Sequence, residues 1–178
     1  MIAERRSILQ QKLKRYILLV FIAGLIIVAD RITKNLVTSQ LALGEMWSPW
    51  EWLTPYARIV HWYNTGVAFG LFQDQNLFFK VLSSIVAVGI LAYYPRIVEQ
   101  EVLLRIALSM QFGGAVGNLI DRFTIGHVTD FVSIGNFPVW NVADASITIG
   151  VGLMILGLWL DDKKSVVESS NPLKKIVE

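Results

Sequence analysis

The chain has 178 residues, 54% hydrophobic and 17% charged, with a mean hydropathy of +0.52. Soluble domains carry about 25% charged residues, and here the apolar residues gather into long runs, so the composition points to a membrane protein. A net charge of +2 gives no basis for nucleic-acid binding, and the lack of cysteine excludes disulfides, thiolate metal sites and a cysteine nucleophile.

Residues 1–15 form a basic lead with Arg5, Arg6, Lys12, Lys14 and Arg15, able to open a first helix. The run 16–29 has no charge. A crossing helix needs roughly 20 mainly apolar residues, so this span must borrow polar residues from 30–36. It continues into Asp30-Arg31-Ile32-Thr33-Lys34 without a small-x-small cleavage pattern, and so is read as retained. Residues 38–76 carry Trp47, Trp50, Trp52, Tyr56, Trp62 and Tyr63. Such rings favour the headgroup region, which lays this extracytoplasmic segment on the outer leaflet. Within it, 58–64 is rich in β-branched and aromatic residues and Gly66 and Gly70 follow, which predicts a small antiparallel sheet.

The second apolar run, 77–94, contains only Lys80, and the third, 102–120, only Arg105. The connection at 95–101 is short, so these helices are antiparallel neighbours. Gly113 and Gly117, four apart beside Gly114, form a small face that admits another helix. A second outer connection, 123–140, is broken by Gly126, Gly135 and Pro138. The last run, 145–160, is uncharged, borrows 141–144, and offers Gly150, Gly152 and Gly157 for packing. A polar, unstructured cytoplasmic tail is expected over 162–178. Most of the 16 basic residues flank the terminal ends and the 95–101 loop, which by the positive-inside rule makes both termini cytoplasmic. The reading is a single domain: an α-helical integral membrane protein of four transmembrane helices, with a small β-structure between helices 1 and 2.

Ionisable groups at membrane depth mark chemistry or transport. Asp30 and Lys34 share a helical face and read first as an ion pair at the helix end, second as a means of orienting a substrate backbone. Asn118 and Asp121 share a face three apart, with Arg122 diverging; Asp121 reads as an acceptor holding the outer connection. Asp144 begins the last helix, where Asn141 is a candidate N-cap, and cap and catalyst are equally open to it. Asp130, in Val128-Thr129-Asp130-Phe131-Val132, has no apolar helical run after it to cap. Brought together, Asp130 and Asp144 could not easily both ionise; one would serve as base and the other as acid.

Other chemistries fit less well. His127 with Asp121 and Asp130 lacks His-x-x-x-His or comparable spacing, and no metal or cofactor is called for. Ser146 or Ser133 with Lys34 lacks a Gly-x-Ser-x-Gly elbow, and Ser146 reads as a small packing residue. His61 reads as an interfacial strand residue.

Five ordered blocks resemble the signal peptidase II family, aspartic peptidases of the bacterial inner membrane. They are Asp30-Arg31-Ile32-Thr33-Lys34, Asn64-Thr65-Gly66-Val67-Ala68-Phe69-Gly70, the segment 113–122 ending Gly117-Asn118-Leu119-Ile120-Asp121-Arg122, the segment 128–132, and Asn141-Val142-Ala143-Asp144. The resemblance covers about 16–161 and implies that Asp130 and Asp144 are the catalytic pair. It implies that Asn64, Gly66, Asn118, Asp121, Arg122, Asn141 and Ala143 shape the site, with Asp30 and Lys34 in support, and that 38–76 is the family's β-cradle near the extracytoplasmic surface. The implied substrate is a prolipoprotein bearing a diacylglyceryl cysteine, held in membrane lipid and cut just before that cysteine; the implied inhibitor is the cyclic peptide globomycin. Trp140 stands where Phe is usual, and Val67 where Ala is common; both touch pocket shape, not the reaction. Competing readings are an ion or proton transporter using outer-side carboxylates as a relay, and a membrane scaffold.

Overall fold

The structure, a computed structural model, describes residues 2–66, 75–97 and 101–170, with side chains between 15 and 163. Four helices dominate: α1 Ile2–Gln40, α2 Asn76–Tyr93, α3 Val102–Thr124 and α4 Val142–Ser170. The segments Arg15–Gln40, Asn76–Arg96, Val102–Thr124 and Val142–Lys163 are long and apolar enough to cross a membrane. Both predicted borrowings occur, since α1 continues through Asp30 and Lys34, and α4 opens at Val142.

Helix α4 does not end with its apolar run. It continues to Ser170, where an unstructured tail was expected from 162. Extending a helix fixes only one more residue per hydrogen bond, and Lys163 adds a contact over the Trp159 ring at 3.9 Å. Residues 171–178 lie outside the described set.

Helix α3 touches all three others and buries ten residues against them, where α2 buries three. Its glycines explain the close approach, because lipid offers no hydrophobic drive and association relies on packing. A Cβ at Gly113 would lie 2.9 Å from Ala23 Cα of α1, and one at Gly117 3.0 Å from Asp30 Oδ2. At Gly114 it would run into Ala143 O, Ser146 Oγ and Ile147 Cγ1 of α4; a Cβ at Gly150 would in turn lie 2.8 Å from Ala107 O of α3. Gly152 has nothing within 4 Å, so the packing role expected of it is not found. At the end of the bundle away from the sheet, Leu19, Ile90, Tyr94, Ile97 and Leu108 form a core. There Arg15 donates to Pro95 O at 2.6 Å, and Arg105 to Arg15 O at 2.9 Å.

The predicted sheet is present, with a third strand from a place that was not expected. Strands β1 Met46–Trp47, β2 Ala57–Asn64 and β3 Val128–Ile134 lie antiparallel in that order. Thus β3 comes from the connection between α3 and α4. Residues 128–131 are all buried, so the strand shows none of the alternation that marks a one-sided strand. Left-handed glycines bracket it, Gly126 at φ 85° and Gly135 at φ 52°. The register pairs Trp62 with Asp130 and Asn64 with Val128. Trp47, Trp50, Trp52 and Trp62 all remain more than half exposed.

Replacement of Gly114 by valine should overpack the α3–α4 contact and destabilise the protein by about 1–3 kcal/mol. Gly89→Ala, with open space at the same atom, should be neutral or stabilising by up to about 1 kcal/mol. Unfolding midpoints of the purified variants in detergent check both.

Candidate active site

Every candidate residue lies at the sheet end of the bundle. Asp30 and Lys34 come from α1, Asn118, Asp121 and Arg122 from α3, Asp130 from β3, and Ala143 and Asp144 from the first turn of α4 behind Asn141. Asn64 ends β2 and Gly66 follows. The remainder of that block, 67–70, lies outside the described residues.

The Asp30–Lys34 ion pair expected at the helix end is present. It is buried between helices, with Asp30 0% and Lys34 2% exposed. The ammonium has three N–H bonds and three partners: Asp30 Oδ2 at 2.9 Å, Asp121 Oδ2 at 2.8 Å and Asn118 Oδ1 at 3.0 Å. Arg31 closes the cluster from outside, reaching Asp121 Oδ1 at 2.5 Å and Asp30 Oδ2 at 3.3 Å. Asp30 Oδ1 accepts from Ala143 N at 3.2 Å, and Asp121 Oδ2 from Thr129 N at 3.2 Å. The cluster therefore fastens α1, α3, β3 and α4 together. Removing one member of such a buried set costs about 3–5 kcal/mol, because a charge is left unpaired. Asp121 is indeed an acceptor for the outer connection. Ala143 is fully buried, and a Cβ at Gly117 would lie 3.3 Å from its own Cβ, so these two small residues let α3 and α4 meet closely.

Asp144 is both a capping residue and a member of the cluster of acids. Asn141 Oδ1 accepts from Asp144 N at 3.0 Å, and Asp144 Oδ2 accepts from Asn141 N at 3.2 Å. This reciprocal arrangement is a capping box. It turns the Asp144 carboxylate back toward α3, where Asn118 Nδ2 donates to Oδ1 at 2.7 Å. Asp130 receives Asn141 Nδ2 on Oδ1 at 2.6 Å and Asn64 Nδ2 on Oδ2 at 2.8 Å. Asn141 thus links the two acids directly.

Each of the three asparagines has one orientation available, since its amide oxygen faces a partner that can only donate. For Asn118 the partner is the Lys34 ammonium, for Asn141 it is Asp144 N, and for Asn64 it is Gly66 N at 3.0 Å. The amide N–H groups must then point at the carboxylates, and all four carboxylate oxygens meet a protein donor. Each oxygen keeps a lone pair for a proton, a water or a substrate.

Asp130 is 1% exposed, while Asp144 is partly exposed. Burial, and next the charge of Asp144, push the Asp130 carboxyl up to about 7 against the opposing pull of its two asparagines and Lys34. Arg122 lies within electrostatic reach of Asp144, Asp130 and Asp121, its guanidinium 5.6 Å over the Phe79 ring of α2. Two participants escaped the sequence reading, Arg31 and the Thr129 backbone. Arg31 stood inside a quoted block, but adjacent helical residues diverge and nothing in the spacing aims it at Asp121.

The alternative constellations come apart. Ser146 donates to Ala143 O at 2.8 Å as a packing residue, and Lys34 has no free N–H for a serine. His127 lies against Tyr63, with ring centroids 3.7 Å apart and the planes tilted by 36°. His61 is a strand residue but buried, its Nδ1 2.9 Å from Leu41 O. Among the described residues no group of three or more acidic or histidine side chains is arranged to hold a metal.

Residues 22–160 match the family model described as signal peptidase (SPase) II. The chain belongs to the signal peptidase II family. It is therefore a member of a peptidase family, and related chains extend over most of its length. A lipoprotein signal peptidase of Brevibacillus brevis is 39% identical over 149 residues, covering 81% of this chain and 96% of that one. One of Bacillus subtilis is 36% identical over 151 residues, covering 83% and 96%. The fold is similar to a solved bacterial membrane enzyme structure, obtained by the in meso method at 2.3 Å resolution, with a TM-score of 0.75 and 28% identity. That match covers 82% of this chain and 90% of the other.

The raised Asp130 carboxyl has a consequence for stability. Between its unfolded value of 3.8 and about 7, the folded state holds a proton that the unfolded state has lost. Stability therefore falls as pH rises through that window. The fall in unfolding midpoint between pH 4 and pH 8 should be smaller in Asp130→Asn than in the unaltered protein, as read by thermal unfolding at the two pH values.

Proposed function

We propose that this protein is an aspartic endopeptidase of the bacterial cell membrane that removes signal peptides from diacylglyceryl-modified prolipoproteins, with Asp130 and Asp144 as its catalytic pair. The observation that carries this reading is the seating of two carboxylates around one asparagine, Asn141, with a donor on every oxygen. The lipoprotein signal peptidases among its relatives support the substrate class. A diacylated substrate stays in the bilayer, because each buried methylene contributes about 0.8 kcal/mol. Its scissile bond must then be cut close to the headgroups, at the depth where helix ends meet the sheet. The basic lead and the 95–101 loop favour cytoplasmic termini and a site facing the extracytoplasmic side.

The chemistry balances without a covalent intermediate. One carboxylate takes a proton from water as the water oxygen bonds to the peptide carbonyl carbon; the other, protonated, gives its proton to the carbonyl oxygen. The diol then collapses. The leaving nitrogen takes the proton from the first aspartic acid, a diol hydroxyl returns one to the second, and the C–N bond breaks. A free carboxyl and a free cysteine amino group result, and the pair returns to its starting state. Asn64, Asn118 and Asn141 hold the two acids, Gly66 orients Asn64, and Arg122 supplies positive charge beside the site. Asp30, Lys34, Asp121 and Ala143 fix the frame. A relay for ions would spread its carboxylates across the bilayer, whereas Asp30, Asp121, Asp130 and Asp144 gather at one end.

Asp130→Asn and Asp144→Asn should each lower cleavage of a lipidated precursor by at least about 10²-fold while the protein still inserts and folds. Purified protein in detergent, given lipidated and non-lipidated precursors with and without globomycin, checks this. Full cleavage by either variant would end the assignment.

A further inference from the structure

The two acids of the proposed pair do not stand in equivalent surroundings, and Lys34 contributes to the difference through Asn118. Around them are Asp30, Arg31 and Lys34 of α1, Asp121 and Arg122 of α3, and Asp130 and Asp144 themselves; β2 contributes neutral Asn64, and α2 the ring of Phe79 beneath Arg122. Four carboxylates thus face three cations. One negative charge is left over, and a single proton on one of the acids cancels it.

Three observations say which acid. Asp144 sits in the first turn of α4, where the helix dipole favours an anion, and takes a backbone N–H on Oδ2. Asp130 has no helix end and only neutral side-chain amides as donors. Lys34 donates to Asn118 Oδ1 and so orients and polarises the amide whose N–H reaches Asp144 Oδ1, whereas the two amides on Asp130 are fixed only by neutral backbone N–H groups. Finally, Asp144 has exposed surface and Asp130 has almost none, so water arrives at Asp144.

We infer that Lys34 is a positioning residue that acts through Asn118 to keep Asp144 ionised as the base that deprotonates water, leaving Asp130 to carry the shared proton and deliver it to the carbonyl oxygen. Lys34 touches no reacting atom. It determines the direction in which the proton moves. This rests on the aspartic reading above and goes beyond it by assigning the two roles.

The test is the pH profile of kcat for cleavage of a lipidated precursor. Loss of the ammonium should make Asp144 harder to ionise, moving the acid limb upward by about one pH unit or more, with activity partly regained at higher pH. Lys34→Met leaves Asp30 and Asp121 short of a partner, so the double variant Asp30→Asn/Lys34→Met, neutral at both positions, is measured beside it. Lys34→Arg should keep the limb close to its original place. A kcat that falls by the same factor at every pH in the methionine variants would overturn the inference. So would a double variant that cannot be isolated folded, since Lys34 would then be a scaffold residue. Asp130→Asn and Asp144→Asn run in parallel: if both are inactive and the limb does not move, only this inference fails, whereas activity in either removes the aspartic reading itself.

Discussion

The buried ammonium of Lys34 is the constraint on which the rest depends. A charge taken out of water must be surrounded by compensating groups, and here those groups come from different parts of the chain: Asp30 one turn back on α1, and Asp121 and Asn118 on α3. Once α1 and α3 are drawn to that point, Gly113 and Gly117 are obligatory, because a larger residue at either would strike Ala23 or Asp30. Asp30 then receives the Ala143 N–H, which draws in the start of α4. Satisfying one cation specifies how three helices meet.

Much of the fold was legible because bilayer thickness and backbone hydrogen bonding leave few choices. The four apolar runs with their polar extensions, the glycine face of α3 and the aromatic first connection all follow from local composition. β3 did not, since burial on both faces erases its period, and its partner strand lies some 66 residues earlier, as in the Asn64–Asp130 contact. The α4 extension past Leu160 was missed for another reason: an apolar run marks where a helix is buried, not where it ends.

In the site, the acids were recognisable as out of place in apolar surroundings, and motif order supplied the rest. What spacing could not supply was the depth of the Asp30–Lys34 pair. An i, i+4 ion pair looks the same on a surface and in a core; only the arrival of Asp121 and Asn118 decides it. Nor could spacing reveal that Asn141 faces both acids at once, by its side chain to Asp130 and by its backbone to Asp144. The open alternatives for Asp144, cap or functional acid, turn out to be compatible, because the capping box is what aims its carboxylate.

That β3 is drawn from the α3–α4 connection while its neighbour β2 lies between α1 and α2 bears on the order of biogenesis. During synthesis α1 brings Asp30, Arg31 and Lys34 into the bilayer, one carboxylate with two cations, and the second carboxylate, Asp121, arrives with α3. Asp130 has no Asn141, and Asp144 is absent altogether, until translation has passed the beginning of α4. A nascent chain therefore balances this charge cluster once α3 is in place, before it has two facing acids, and the pair is completed only when α4 docks.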